Sequence, residues 1–313
     1  MNFMSMAYFL AVSETKNITR AAEQLHITQQ TLSAHIKSIE TELACQLFIR
    51  SNPLQLTYAG EIYLRHANDI IEGYQAMWNE FNDLTNNQRG KILIGINYVR
   101  SLSLMPPIIC EFHKHYPNIE VRLTEGANKE LQQQLINKEL DLVIARFAKP
   151  VLGVDIIDFF SEEIMLLVPK KFFSKKLNLE EPIDNINDFQ NFPFLLGNPT
   201  DITGQIGREL IRKSGFEPII RCQSNNLETL LALCSRGLGM CFAPSSAIHS
   251  ILTKDQRNNL CIFRLPPNYS YPIRFAYRKT SYQWKIILEF VRIAKSIFSQ
   301  KNIPSVLEAQ NTT

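Results

Sequence analysis

TRAAEQLHITQQTLSAHIKSI, residues 19–39, reads as two short helices joined by a tight turn. Ala21, Ala22 and Leu25 put small and apolar side chains on one face of a first helix, and Ile27 plugs the turn. Leu32, Ile36, Ile39 and Leu43 then recur at spacings of four, three and four, the period of a helix that buries one stripe. Thr19 and Thr28 stand where N-caps are needed, each offering a hydroxyl to free backbone N–H groups. Gln29, Gln30, Thr31, Ser33, His35 and Lys37 lie off the stripe. Amides, hydroxyls and a cation in that arrangement suit base edges and phosphates in a major groove. The plain alternative is a two-helix corner with a polar outer face, and the flanking chain has to separate the two.

Upstream, Asn2 to Ser13 reads as a helix packed over this pair, with Phe3, Met6, Phe9 or Leu10, and Val12 facing in. Downstream, Leu47 to Arg50 and Leu54 to Thr57 are short extended stretches turned by Ser51, Asn52 and Pro53. A helix-turn-helix followed by a hairpin is a winged helix-turn-helix, with Arg50 and Asn52 on the wing. The expected DNA-contacting set is Thr28, Gln29, Gln30, Thr31, Ser33, Ala34, Lys37, Arg50, Asn52 and Thr57. Residues 1–65 hold five basic and five acidic residues, so this region is formally neutral although the whole chain is +3. Recognition would then rest on amides and backbone N–H groups more than on a basic patch.

The order F-x-x-V, N-I-T-x-A-A-x-x-L, I-T-Q-Q-x-x-S-x-x-I-x-x-I-E, L-F-x-R and L-T-Y-A-G resembles the N-terminal domain of LysR-type transcriptional regulators. Three positions depart from that family's pattern. Gln30 stands where proline is usual, Ala44 where glycine is usual, and Ala34 where a longer polar residue is common. Ala34 can meet a thymine methyl but cannot hydrogen-bond, so it bears on which sequence is read.

From Tyr58 to Leu84 a helix carries Tyr63, Ala67, Ile70, Tyr74, Met77, Phe81 and Leu84, alternately four and three apart. This is a heptad seam suited to pairing with a second copy, the alternative being a helix lying on its own domain. The resemblance implies a linker helix in a dimer, commonly paired again into a tetramer. Thr85 to Gly90 reads as a hinge.

Beyond Lys91 strands and helices alternate. Strands are expected at Ile92–Ile96, Val121–Thr124 and Leu142–Ala145, with helices around Met105–His115 and Asn128–Asn137. This is βαβαβ, which implies a parallel sheet. A second such unit is expected through Ile164–Val168, Phe194–Leu196, a helix at Leu227–Ser235 and the run Gly237 to Pro244. The chain then returns to the first unit with a strand at Ile273–Tyr277 and a helix at Trp284–Phe298. The segments K-I-L-I-G, M-P-P-I-I-x-x-F-x-x-x-Y-P, L-D-L-V-I-A and S-R-G-L-G-M-x-F-A-P resemble the effector-binding domain of the same regulators.

The expected architecture is therefore α/β multidomain: a winged helix-turn-helix (1–58), a linker helix and hinge (59–90), and a two-lobed, periplasmic-binding-protein-like effector domain (91–300). Lobe I would take 91–162 and 268–300, lobe II 163–267, and a loose tail 301–313. Ligands of open α/β sheets sit beyond the carboxyl ends of the strands. That rule, and the resemblance, select Arg100, Ser101, Leu102, Ser103, Asn128, Arg146, Gly197, Asn198, Thr200, Thr203 and Asn225 as effector contacts. Arg146 and the free N–H groups of helix starts favour a small anion. Each also has a plain structural reading: Ser101, Ser103, Asn128 and Asn225 as helix caps, Arg146 as one half of a surface ion pair.

The remaining signals narrow the class. No apolar run approaches a membrane span, and the start lacks the basic flank of a signal peptide, so a cytoplasmic protein is expected. The six cysteines are scattered without a C-x-x-C pair, and no His/Cys set has metal spacing. A redox sensor built on Cys222 and Cys234 is the alternative reading; peroxide-sensing members of the family carry a cysteine pair where residues 197–210 here have none. An α/β enzyme or a solute-binding protein is more remote, since G-x-S-x-G, a phosphate loop and G-x-G-x-x-G are all missing. Expected partners are double-stranded promoter DNA, a small-molecule effector, a second copy of the chain, and RNA polymerase if the protein activates. No cofactor or metal is expected.

Overall fold

The computed structural model describes residues 3–84, 89–172, 182–183, 185–280 and 282–300. These divide into two compact units, one running from Phe3 to Leu84 together with Tyr282–Trp284, the other from Arg89 onward.

The first unit opens with helices α1 (Phe3–Thr15), α2 (Ile18–Gln24) and α3 (Gln29–Glu42). The hairpin strands β1 (Phe48–Ile49) and β2 (Gln55–Leu56) and the long helix α4 (Tyr58–Leu84) follow. The predicted stripe is the core: Leu32, Ile36 and Ile39 of α3 pack with Ala21, Ala22, Met6, Phe9 and Val12. Leu43, the last member of the stripe, is exposed and closes α3 as its C-cap. Phe9 is fully buried, its ring 5.0 Å from Phe48 and 4.7 Å from Tyr63. Phe3 is instead half exposed, its ring 4.8 Å from Tyr74. Thr28 caps α3 as expected, accepting from the Thr31 N–H. The cap of α2 is Asn17, not Thr19, because the helix begins one turn earlier than its apolar pattern.

Two motif residues owe their identity to the junction between α3, the wing and α4. Glu40 accepts from the backbone N–H groups of Leu47 and Phe48 at 2.8 and 3.4 Å, fixing the first wing strand to α3. Gly60 lets the first turn of α4 lie against that strand; a Cβ there would fall 2.1 Å from the Leu47 carbonyl oxygen. Ala44 adopts φ 52°, the left-handed conformation that glycine takes at little cost.

The heptad seam divides in two. Tyr63 and Ala67 are 8% and 2% exposed and belong to the core of their own unit, so the self-packing alternative holds for them. Ile70, Tyr74, Met77, Phe81 and Leu84 are 41–74% exposed. Asn79, a polar residue off the seam, is buried. Of the expected hinge, Thr85 to Gln88 lie outside the described residues, as does the tail 301–313.

The second unit begins with β3 (Gly90–Ile96), α5 (Tyr98–His115), β4 (Ile119–Glu125), α6 (Asn128–Ile136) and β5 (Leu142–Ala145). Strands β3, β4 and β5 are parallel neighbours, the expected βαβαβ unit. Helix α5 starts seven residues before its predicted start, capped by Asn97. The tandem Pro106–Pro107 invites a helix start there, but both prolines lie inside the helix.

The chain continues through β6 (Val154–Glu162), β7 (Ile164–Pro169), β8 (Pro193–Leu196), α7 (Ile202–Ser214), β9 (Ile219–Gln223) and α8 (Leu227–Ser235). It ends with β10 (Cys241–Pro244), α9 (Ser245–Ile251), α10 (Lys254–Asn258), β11 (Leu260–Arg264), β12 (Tyr271–Arg278) and α11 (Lys285–Gln300). Strands β12 and β6 complete the first sheet in the order β4-β3-β5-β12-β6, with β12 antiparallel to both neighbours. The other lobe does hold a parallel unit, β8-α7-β9, and Phe194 of β8 also bridges in parallel to Met240 at the start of β10, but the expected first strand, Ile164–Val168, is not part of it. Strand β7 instead runs between β10 and β11, antiparallel to both. Its core gathers Leu167, Leu195, Leu230, Leu231, Ala243, Ile248 and Ile262.

Candidate nucleic-acid interface and effector cleft

On α3, Gln29, Gln30, Thr31, Ala34 and Lys37 are exposed and Ser33 is half-buried. Residues 30, 33, 34 and 37 share one face at helical spacing, opposite the buried stripe. Side chains held this way on a rigid helix can reach base edges, with Lys37 available to a phosphate. Thr28 and Thr57 contribute through position instead. The Thr28 hydroxyl accepts from the Thr31 N–H and lies 2.8 Å from the Thr31 hydroxyl. The Thr57 hydroxyl donates to the Gln46 carbonyl at 2.7 Å and accepts from the Gly60 N–H at 2.9 Å, tying α4 to the wing. His35 faces inward, its Nδ1 3.0 Å from the Ser5 hydroxyl and its ring edge-on to Tyr8. Arg50 and Asn52 are exposed on the wing, which is fastened at its base by the Leu54 N–H donating to the Lys16 carbonyl.

In the second unit, the strand-end residues divide into a connected cluster and scattered ones. Arg100 and Ser101 lie buried in the first turn of α5. Leu102 is exposed, and the Ser103 hydroxyl donates to the Arg100 carbonyl. Neither serine caps the helix, since Asn97 does. Arg146 follows β5 with its guanidinium 6.0 Å from the centroid of the Tyr271 ring. Thr203, near the start of α7, is near enough to the Tyr271 hydroxyl to favour its ionised form.

Asn128 is the first residue of α6, not its cap, which is Ala127; its buried Oδ1 has no partner among the described residues. Gly197, Asn198 and Thr200 form a turn in which Asn198 Oδ1 accepts from the Thr200 N–H and hydroxyl. Asn225 is exposed, and the cap of α8 is the next residue, Asn226.

The residues that join this cluster were not selected from sequence. Tyr271 and Glu162 are directly opposite each other where β12 and β6 pair. Arg100 donates from Nε to Glu162 Oε2 at 3.3 Å and from Nη2 to the Tyr271 hydroxyl at 2.8 Å. The same carboxylate accepts from Ser245 Oγ at 3.0 Å, Ser246 N at 3.1 Å and Ser246 Oγ at 2.7 Å. Burial pushes the Tyr271 phenol above its ordinary range, with Arg100 pulling the other way. Glu162 precedes an apolar run and Ser245-Ser246 follow a proline, so neither carries a local signal. Only the long-range strand pairing brings them together.

Among the described residues no group of His, Cys, Asp or Glu is placed to hold a metal ion. Cys234 is buried in the lobe core and Cys222 is half-buried against it. No helix among the described residues is long and apolar enough to cross a membrane.

Comparison with known proteins bears on both units. Residues 3–61 match the family described as bacterial regulatory helix-turn-helix protein, lysR family, and residues 85–298 match the LysR substrate binding domain. The uncharacterized HTH-type transcriptional regulator YcgK of Bacillus subtilis (strain 168) is 27% identical over 315 residues, 96% of each chain. The HTH-type transcriptional regulator AlsR of the same organism is 28% identical over 252 residues, 79% of this chain and 82% of its own. Full-length CbnR complexed with its target DNA has a TM-score of 0.62 at 22% identity, covering 95% of this chain and 99% of that one. A full-length OxyR variant from Pseudomonas aeruginosa has a TM-score of 0.68 at 20% identity, covering 97% of this chain and 96% of that one. At these identities the structures speak to the fold.

Proposed function

Since the chain belongs to the LysR family and is a DNA-binding transcriptional regulator with an effector-binding domain, we propose that it reads a promoter sequence through α3. A small anion bound in the cleft would modulate that reading. What carries the DNA half is the exposed polar face of α3, where Gln29, Gln30 and Ser33 would read base edges. Lys37 and the wing residues Arg50 and Asn52 would hold phosphates. The exposed part of the α4 seam would meet the same surface on a second copy, and a two-fold dimer would set two half-sites along the DNA. A tetramer of two such dimers, and contact with RNA polymerase if the protein activates, extend the same reading.

The cleft half rests on Arg146 beside Tyr271, a cation over an aromatic face at a strand end. The effector would shift the balance between two arrangements of the lobes by binding one of them more tightly. Cys222 and Cys234 lie in the packing of the second lobe, which favours metabolite sensing over a redox switch built on them.

Fluorescence anisotropy tests the reading with DNA from upstream of the protein's own gene, a scrambled control, and a salt series. A preference of about a thousandfold is expected, with a shallow salt slope matching the neutral N-terminal region. Equal weak binding to upstream and scrambled DNA, unchanged by any added anion, would count against it.

A further inference from the structure

The Glu162 carboxylate is held as a bound anion would be. Its two oxygens receive four donors, two each: Arg100 Nε and Ser246 Oγ on one, Ser245 Oγ and Ser246 N on the other. Glu162 is 0% exposed, Arg100 3% and Ser246 7%. The donors come from both lobes. Arg100 sits on α5 beside the first sheet, while Ser245 and Ser246 join β10 to α9 in the other lobe. Val99, next to Arg100, already packs against that lobe's core. Glu162 itself is the last residue of β6, where the chain crosses from one lobe to the other.

We propose that Glu162 is a tethered ligand: its side chain fills a carboxylate site formed by Arg100, Ser245 and Ser246 and so holds the two lobes together in the absence of an effector. A buried guanidinium whose charge is already balanced by a carboxylate at 3.3 Å, and which also donates to a phenol at 2.8 Å, attracts an incoming anion less than an uncompensated one. This reverses the expectation that Arg100 contacts the effector. Of the two arginines that flank Tyr271, only Arg146 lacks a carboxylate partner among the described residues. The effector that follows is a monoanion, its single carboxylate on Arg146, with its body beside Tyr271. This last consequence rests on the reading of the cleft as the effector site, whereas the tethered carboxylate does not.

The test is chemical rescue in the full-length protein. Glu162→Ala removes the tethered group and leaves the donors, and its melting transition should fall by on the order of 10 °C. Sodium formate at about 100 mM, in large excess over any weak site, should recover at least half of that loss, saturably, while sodium chloride at the same ionic strength recovers none. The double variants E162A/S246A and E162A/R100M should show no formate response beyond that of wild type, where Arg146 alone of the two arginines is open to formate. If E162A is insoluble, it is refolded from urea with formate or with chloride, and recovery with formate alone supports the proposal. No formate response in E162A, or an equal response in wild type, overturns it, as does refolding that formate does not improve. A screen of wild type against mono- and dicarboxylates reads the effector separately. Failure there with rescue intact refutes the effector reading and leaves the tethered carboxylate standing.

Discussion

Gly60→Ala and Gly73→Ala place the same methyl group at two points of one helix, α4, and should move stability in opposite directions. At Gly60 the added Cβ would lie 2.1 Å from the Leu47 carbonyl oxygen and 3.0 Å from Leu56 Cδ2. That is about 1 Å or more inside ordinary contact, and the nearer atom is backbone, which cannot swing away. Either the first turn of α4 or the wing strand must move. The hydrogen bonds at stake are Thr57 N to Leu47 O at 3.0 Å and Thr57 Oγ1 to Gln46 O at 2.7 Å. Each contributes about 0.5–1.5 kcal/mol net, and losing the Thr57 cap on Gly60 N adds about 1 kcal/mol. Against this, alanine gains about 1 kcal/mol in helix propensity. The balance is a net loss of about 1–3 kcal/mol.

At Gly73 nothing lies within 4 Å of the added Cβ, so only the propensity gain of about 1 kcal/mol remains. Urea unfolding followed by circular dichroism at fixed protein concentration measures both, and DNA anisotropy follows the consequence for the wing. A Gly60→Ala protein as stable as wild type, or two variants shifting the same way, would refute the close-packing account of Gly60.

Ala44→Gly should stabilise the first unit by up to about 1 kcal/mol, because φ 52° suits glycine and the larger unfolded-state entropy of glycine offsets only part of the gain; its urea midpoint should rise. Phe81→Asp, on the exposed part of the α4 seam, should shift sedimentation toward the monomer while leaving the fold by circular dichroism intact. Lys37→Ala should weaken binding to all DNA sequences alike and reduce the salt slope by about one, whereas Gln30→Ala should change sequence preference. Burial and the nearby Arg257 hold the His249 imidazole below its ordinary value. Between that lowered value and the ordinary one near 6.5 the unfolded chain binds more protons, so stability falls as pH drops through this window and levels off below it. Thermal melts of wild type and His249→Gln between about pH 7 and pH 5, the range in which histidine titrates, should differ in that slope, and parallel curves would contradict the assignment.

The N-terminal unit was legible because its signals are local. Leu32, Ile36 and Ile39 announce their helix by spacing alone, and Thr28 caps a backbone N–H three residues on, although the cap of α2, Asn17, stands two residues ahead of the expected Thr19. The first βαβαβ unit was legible for the same reason, as apolar runs like Leu142–Ala145 are buried on both faces. The second lobe was legible only in part: β7, β8, α8 and β10 stand where expected, while α7, β9 and the antiparallel direction of β7 were missed. Strand β9 is almost wholly exposed and so shows no alternation, and the antiparallel partners of β7 lie more than seventy residues downstream of it. The heptad seam shows a different limit: spacing identifies an apolar face but not what covers it, so Tyr63 and Ile70 look alike in sequence and differ in burial. Of the strand-end cluster around Tyr271, Arg100, Arg146 and Thr203 could be selected from sequence, because each lies just beyond a strand. The centre of the cluster, Tyr271 with Glu162, was invisible because it exists only once two strands more than a hundred residues apart are in register.

That register has a genetic consequence. Because β6 departs and β12 returns side by side, the second lobe is an insertion whose two ends meet at one place on the parent sheet. A segment with adjoining ends can be exchanged between relatives as a cassette, leaving the host's strand order untouched. The seam of such an exchange would fall at Glu162 and Tyr271, both of which touch Arg100 of the host. Recombination there would succeed chiefly between chains that agree on those three residues, so a pairing seen in one molecule would act across a lineage as a compatibility rule.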